Sequence, residues 1–502
     1  MNPFPRPVPA LTPNTPEYER LPLVKPTGFR EYDARWLFGS ELNLMGVQAL
    51  GMGLGTLIRK RGVAPEIVVG HDYRAYSASI KLALTTGLMA AGIKVHDIGL
   101  ATTPMAYYAQ FGLNVPCVAQ VTASHNENGW TGVKMGMNKP LTFGPDEMTE
   151  LKDIVLNANF NLVGGGSLVV HTGFEQQYLA NLTTNRNPFS RNIKAIVACG
   201  NGTAGAFAPQ LLRSLGVEVI ERHCTLDHTF PHYNANPEDM AMLHDMAAMV
   251  AEHKADIALG FDGDGDRCGV VDNKGHEIFA DKLGVLIARN IAATTPNAQF
   301  VVDVKSTGLY HTDPVLRQLG AQTDYFKTGH SYIKRRTTEL NALAGFEKSG
   351  HFFFRAPYGL GYDDALVSAL MVLDMLEANP TKSMSDLAAS LPLTFGSPTM
   401  SPHCPDELKY GVLDAIITHV KGLESSKSPL IGQPITAVNT VNGVRVTVAD
   451  GTWGLIRASS NKPELVVVVE SPVSEANRNS MFAELKTILS MHPSVGAFNQ
   501  TL

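Results

Sequence analysis

The stretch ADIALGFDGDGD, residues 255–266, decides how this chain is read. It opens as a short apolar run that suits a buried strand and closes on aspartates alternating with glycine. The same order of strand and turn recurs on both sides. EIVVGHD (66–72) is an apolar run ended by turn residues. SIKLALTTGLMAAG (79–92) follows with helical periodicity and a glycine stop, and KVHDIG (94–99) reads as the next strand. AIVACGNGTAG (195–205) repeats the pattern, with helix-like FAPQLLRSLG (207–216) and strand-like VEVIE (217–221) behind it. FVVDVKSTG (300–308) begins another round. Strands alternating with helices predict α/β layers with mixed sheets, here as three similar units in series.

The two ends differ. Residues 1–27 are rich in proline and predict an extended or partly disordered arm, not a helix. GVRVTVADGTWGLIRASSNKPELVVVVES (443–471) gives three strand candidates, and EANRNSMFAELKTILSMH (475–492) a helix, so a separate α+β domain closes the chain. SLPLTFGSPTMSPHCPDE (390–407) reads as the linker into it. The expected boundaries are 1–27, 28–172, 173–275, 276–392 and 393–502.

At 502 residues the chain exceeds a single core. A net charge of −6 argues against a nucleic-acid partner or a polybasic membrane segment. The N-terminus has no apolar signal region, and no apolar run approaches the roughly 18 residues of a membrane span. Five cysteines without CxxC or zinc spacing suit a reducing compartment, and a cytoplasmic location is expected.

Several stretches carry chemistry. In GFDGDGDRCGVVD (260–272), Asp262, Asp264 and Asp266 repel one another unless a cation lies among them, and hard oxygen ligands suit Mg²⁺ or Ca²⁺. An EF-hand loop fails here, because its sixth and twelfth positions fall on Arg267 and Asn273. A solvated acidic turn is the plainer alternative. Arg267 suits a phosphate or substrate oxygen. RASSNKP (457–463) could form an anion cradle from Arg457, Ser459, Ser460 and Asn461, or be an ordinary polar turn. In FEKSGH (346–351), Glu347, Ser349 and His351 would share one face of an extended segment and suit sugar hydroxyls, unless the loop is simply solvated. Lys305 in VKSTG, His330 in KTGHSYIKRR, and Tyr32 and Arg35 in GFREYDAR have no spacing that fixes a role. Lys334, Arg335 and Arg336 read as a solvated helix face. VTASHNENGWTGVK (121–134) places Ser124 beside His125. A hydrolase is disfavoured, since adjacent side chains on such a backbone point apart and no base–orienter pair accompanies the serine.

Taken together, these stretches resemble one family, the α-D-phosphohexomutases, and within it the phosphomannomutase/phosphoglucomutase branch. TASHN…G.K is similar to the family's phosphoserine loop, DGDGDR to its metal loop, EKSGH to its sugar-specificity loop and RASSNKP to its phosphate-binding loop. FREYDAR, VKSTG and KTGHS stand in the family's order, so the likeness runs from about residue 28 to 475. It implies a heart-shaped chain of three related α/β domains and a fourth, TATA-binding-protein-like α+β domain around a central cleft. The implied activity is reversible interconversion of hexose 1-phosphate and hexose 6-phosphate, on mannose or glucose, with Mg²⁺ and a hexose 1,6-bisphosphate intermediate.

By that resemblance Ser124 is the phosphorylated serine and completes a metal shell with Asp262, Asp264 and Asp266. Lys134 and His351 are candidates for proton transfer, Lys134 on condition that neighbouring cations depress its pKa. Arg35 supports the reacting phosphate. Tyr32, Arg267, Lys305 and His330 contact substrate, and Glu347 and Ser349 bind sugar hydroxyls. Arg457, Ser459, Ser460 and Asn461 hold the non-reacting phosphate. The only partner implied is the phosphorylated hexose, bound by a monomer or weak homodimer. The chain departs from the family pattern at Trp36, Glu127, Thr131 and Lys348, none of which is a reacting group. Phosphoglucosamine mutase on the same scaffold and a non-catalytic sugar-phosphate-binding protein are the alternatives.

Overall fold

The computed structural model describes residues 4–460, 462–500 and 502, in two compact bodies. Of these, the first comprises the described residues up to 280 and 349–386, the second 281–348 and the described residues from 387 on.

The first body holds two α/β layers. In one, strands Glu66–His71, Lys94–Leu100 and Cys117–Val121 run parallel and Trp130–Gly136 returns antiparallel beside Cys117–Val121. Strand Ala34–Leu37 extends this sheet, pairing Arg35 with Gly132 and Trp36 with Thr131. Helices Leu44–Lys60 and Ser77–Ala90 bury Val47, Leu50, Leu54, Leu84 and Leu88 in the same core as Ile67, Val69 and Val95. Strands buried on both faces read as continuous apolar runs, which is why EIVVGHD shows no alternation. In the other layer, Lys194–Ala198 pairs parallel with Glu218–Arg222 and with Ile257–Phe261, and Cys268–Asp272 pairs antiparallel with Ile257–Phe261. The aspartate loop is therefore a hairpin turn between two strands whose every residue is buried.

In the second body, Gln299–Asp303 lies parallel to both Gln322–Phe326 and Ala344–Phe346. The tail forms an antiparallel sheet from Ile435–Asn439, Val444–Val448, Trp453–Ala458 and Leu465–Ser471. Helices Lys409–Ser425 and Glu475–Ser490 cover it. Leu465, Val467 and Val469 enter the core with those helices, whereas Val466 and Val468 pack with Val304, Trp453 and Leu455. The unbroken LVVVV run follows from burial on both faces.

Three expectations are corrected. The proline-rich arm contains a helix, Pro16–Arg20, capped by Thr15, and it is packed: Leu23 and Val24 are buried. Asn43 anchors it, its Oδ1 accepting from Leu23 N at 2.9 Å and its Nδ2 donating to Tyr18 O at 2.8 Å. The stretch 390–407, read as a linker, is itself part of the tail domain's fold. Phe395–Gly396 adds a short strand beside Leu465–Ser471, and Met400 and Cys404 lie in the core of the tail domain. Lys334 is fully buried in helix His330–Glu339, so KRR is not a solvated face, although Arg336 does pair outward with Asp324 at 2.7 Å.

Candidate active site

In the first body, the loop after strand Cys117–Val121 and the hairpin turn after Ile257–Phe261 come into contact. Gly263 makes this possible: a Cβ there would stand 2.4 Å from Ser124 O. Ser124 itself is buried, with φ 52°, a left-handed conformation that costs a non-glycine residue on the order of 1–3 kcal/mol and is characteristic of functional sites. Its N–H donates to Thr122 Oγ1 at 2.9 Å. The turn aims Oγ at the carboxylates, 3.2 Å from Asp262 Oδ2. It also brings Oγ to 3.3 Å from His125 Nδ1, so these neighbours do not point apart as an extended chain would require.

Asp262, Asp264 and Asp266 are all fully buried, and one oxygen from each lies within 4.8 Å of the others. Asp262 Oδ1 closes the turn by accepting from the N–H groups of Asp266 at 3.0 Å and Arg267 at 3.2 Å. Burial, then repulsion from Asp266 and Asp264, pushes the Asp262 carboxyl well above its usual range. Asp264 Oδ1 and Asp266 Oδ1 have no hydrogen-bond partner among the described residues. Buried carboxylate oxygens in this state suit a hard divalent cation.

Lys134, on strand Trp130–Gly136, sends Nζ to Asp264 Oδ2 at 2.8 Å and also contacts Asp266. The expected depression of its pKa is corrected. Burial works to lower it, but the charges of Asp264 and Asp266 outweigh burial and raise it. Arg35 donates to Asp33 Oδ2 at 2.9 and 3.0 Å and to Asn126 Oδ1 at 2.7 Å, which ties it to the serine loop. Tyr32 is buried in the bend before that strand. Arg267 Nε donates to His351 Nε2 at 2.9 Å. Ser349 is buried in the turn leading to His351.

In the second body, Asp303, at the end of strand Gln299–Asp303, gathers three loops. It accepts from Ser306 Oγ at 2.6 Å, Thr328 Oγ1 at 3.2 Å and Lys348 N at 3.3 Å, and Lys305 Nζ lies 3.7 Å away. His330 begins a helix directly after Gly329, whose N–H donates to Glu347 Oε1. FEKSGH is not an extended segment: the chain turns at Lys348 and Ser349, so alternation does not set the facing of its residues. Arg457 is buried at the end of strand Trp453–Ala458, and its Nη1 donates to Ala458 O at 2.6 Å. Ser459 N donates to Glu464 O at 3.0 Å, while Ser460 stands half-buried. Asn461 lies outside the described residues.

Residues with no motif to mark them also build the site. Arg74, buried against Asp72, holds the serine loop by donating to Ser124 O at 3.0 Å and Asn126 O at 2.7 Å. Thr103 donates to Asp264 Oδ2. Only spatial neighbourhood reveals them. Trp36 is accommodated because Gly28 leaves room for its indole, whose Nε1 donates to Lys25 O at 2.8 Å. Lys348 pairs with Asp281 at 3.2 Å.

Two mixed α/β sheets with a buried carboxylate turn against a strained serine define a phosphoryl-transfer class of site. The sequence matches the phosphoglucomutase/phosphomannomutase α/β/α domains I, II and III over residues 26–162, 176–275 and 279–395. A phosphomannomutase/phosphoglucomutase of Pseudomonas putida is 33% identical over 443 residues, 88% of this chain and 91% of the relative. A phosphoglucomutase of Neisseria meningitidis is 30% identical over 468 residues, 93% of this chain and 97% of the relative. The crystal structure of a phosphoglucomutase/phosphomannomutase family protein from Burkholderia thailandensis superposes with a TM-score of 0.83 at 29% identity, covering 93% of this chain and 98% of that one. The chain belongs to the phosphoglucomutase/phosphomannomutase family, within the α-D-phosphohexomutases.

Proposed function

We propose that this chain reversibly interconverts hexose 1-phosphate and hexose 6-phosphate, of mannose, glucose or both, through phospho-Ser124 and a hexose 1,6-bisphosphate. The observation that carries this reading is Ser124 Oγ, held by a left-handed turn against a cluster of three buried carboxylates. A hydrolase would pair the serine with a base and an orienting acid. Here it faces a cation site, as a phosphate carrier needs.

Phospho-Ser124 gives its phosphoryl group to the free hydroxyl of the bound hexose monophosphate, and the serine oxygen leaves. The bisphosphate turns over, and its other phosphoryl group returns to Ser124. Asp262, Asp264 and Asp266 would hold Mg²⁺, which when bound offsets charge on the transferring group. Arg35 and Arg267 supply fixed positive charge to the phosphoryl oxygens. Lys134 Nζ lies against Asp264 and Asp266, beside the transferring group. Its part is to give a proton to the departing serine oxygen and to recover one from the attacking hydroxyl, so that it ends the transfer protonated. Tyr32, Lys305 and His330 contact the substrate, and Glu347 and Ser349 accept the sugar hydroxyls. Arg457, Ser459, Ser460 and Asn461 hold the phosphate that does not react. A cytoplasmic site of action belongs to the same reading, supported by five cysteines without disulfide spacing.

Replacing Ser124 by Ala is expected to lower turnover at least about a thousandfold, as loss of a nucleophile does, with the melting temperature kept. The assay uses mannose and glucose 1-phosphates primed with the matching 1,6-bisphosphate. Mass spectrometry of the wild type should find one phosphate on Ser124. Near-normal exchange in the alanine variant rejects the phosphoserine route.

A further inference from the structure

The two faces of the tail sheet follow from strand alternation. In Val444–Val448, Val444, Val446 and Val448 enter the core that the two tail helices cover. Arg445 therefore faces the other way, towards the loop after strand Gln299–Asp303. That loop carries Lys305 in VKSTG. Arg445 is buried, and a single nitrogen, Nη1, donates to Val304 O at 2.9 Å and to Ser306 O at 2.8 Å. These are the carbonyls of the residues on either side of Lys305. The guanidinium lies 3.6 Å from the ring centroid of Trp453 and 4.7 Å from that of Tyr325.

Strand Leu465–Ser471 holds the end of the same loop through Glu470, which is also buried. Glu470 Oε1 accepts from Gly308 N at 2.8 Å, from Thr307 Oγ1 at 3.0 Å and from Trp453 Nε1 at 3.0 Å. All these residues belong to the second body. An apolar side chain in place of Arg445 would be enough to seal the contact, since Val304, Trp453, Leu455, Val466 and Val468 already form an apolar cluster there. A buried guanidinium costs stability unless its donors are met, and here loop carbonyls meet them. What the arginine adds over an apolar residue is direction. It fixes the backbone before and after Lys305, and with it the course of the lysine side chain.

We propose that Arg445 is a positioning residue, which fixes Lys305 by holding the carbonyls of both its neighbours to the tail sheet. Its effect on catalysis rests on the proposed contact of Lys305 with substrate; its effect on the loop does not. Lys305 holds the sugar phosphate before and during transfer alike, so its displacement weakens binding and spares the chemical step. A residue that only supported the fold would act the other way, lowering kcat through the folded fraction at an unchanged KM.

The test joins steady-state kinetics on hexose 1-phosphates with hydrogen exchange of residues 304–308 in the full chain. Arg445→Met removes the donor, and Arg445→Lys keeps a cation against the rings but ends short of the carbonyls. Both should raise KM about 10-fold or more, the cost of a charge-assisted hydrogen bond, with kcat within about threefold of wild type. The amides of Thr307 and Gly308 should exchange at least about 10-fold faster in the lysine variant, while those of strand Trp453–Ala458 keep their rates. In a Lys305→Met background, Arg445→Lys should add little to KM. A wild-type KM in the folded lysine variant overturns the proposal, even if the methionine variant fails to fold. A fall in kcat at unchanged KM overturns it too, as does full additivity with Lys305→Met. Exchange of the wild-type Gly308 amide at the rate of an open loop overturns it whatever the variants do. Absence of mutase activity in the wild type, with faster loop exchange in the lysine variant, would reject the proposed function and leave the clamp on the loop standing.

Discussion

Asp364 shows how far a single buried group can depart from its ordinary behaviour. Its Oδ1 caps helix Ala365–Glu377 by accepting from Leu366 N at 2.9 Å and Val367 N at 3.1 Å, and its Oδ2 accepts from Tyr178 Oη at 2.8 Å. Burial dominates these bonds and raises its pKa to about 7 from the usual 3.8, with Asp363 adding to the rise. The folded state thus prefers the protonated acid. Its contribution to stability is complete below about pH 3.8 and is lost as pH rises through about 7, a difference on the order of 4 kcal/mol. Asp364→Asn keeps the cap and has no charge to bury. Between pH 4.5 and 7.5, wild-type melting temperature should fall relative to the variant, and the variant's profile should be the flatter one. Parallel profiles would mean that Asp364 is ionised in the fold throughout. Nothing in the sequence marks this residue, because its behaviour comes from the depth at which the helix starts, which outweighs the hydrogen bond from Tyr178, far away in the chain.

Loops show what spacing can and cannot tell. The aspartate turn was legible because three acids directly after an apolar strand have few uses other than a cation. The facing of FEKSGH was not, since the argument assumed an extended chain and the chain turns at Lys348 and Ser349. Lys134 was singled out as a basic group, but its electrostatics depend on Asp264 and Asp266, distant in sequence. Arg74 and Asp72, which hold the serine loop from behind, have no motif at all. The contact between the two loops depends on Gly263, whose missing Cβ lets the metal turn approach Ser124 O. Gly263→Ala places a carbon 2.4 Å from that oxygen, so one loop must move. A displacement of this kind typically costs about 1–3 kcal/mol of stability and about 100-fold in rate when it moves a reacting group. A variant with wild-type melting and wild-type kcat would show that the loops can separate without consequence. Measuring both distinguishes misplacement of Ser124 from loss of fold, since the first lowers kcat while secondary structure persists.

The layered architecture was legible because each buried strand is a short apolar run closed by glycine or aspartate. The less regular ends were not. Proline suggested an extended or partly disordered arm before residue 28 and a linker near 400, whereas Leu23, Val24, Met400 and Cys404 are all buried. Proline fixes local backbone shape but does not say whether a segment packs. A larger consequence concerns stability as a whole. The first body closes around three buried carboxylates with Lys134 and Arg267 beside them, and Asp262 is the one whose charge is most opposed by its neighbours. A cation that binds only the folded chain stabilises it by mass action, about 2.7 kcal/mol at a hundredfold excess over Kd. Mg²⁺ should therefore raise the melting transition of the first body by several degrees, and excess chelator should reverse the rise and stop catalysis. Asp262→Asn separates the two effects. Its amide oxygen can still accept from Asp266 N and Arg267 N, and its NH₂ can donate to Ser124 Oγ, while one repelling charge is gone. Without metal this variant should melt above wild type. With Mg²⁺ the wild type should gain and the variant should not, and the variant should have lost turnover. If the metal-free variant instead melts lower, mutual repulsion of the carboxylates is not what limits stability here, and the stored instability assigned to the cation site has to be sought elsewhere in the fold.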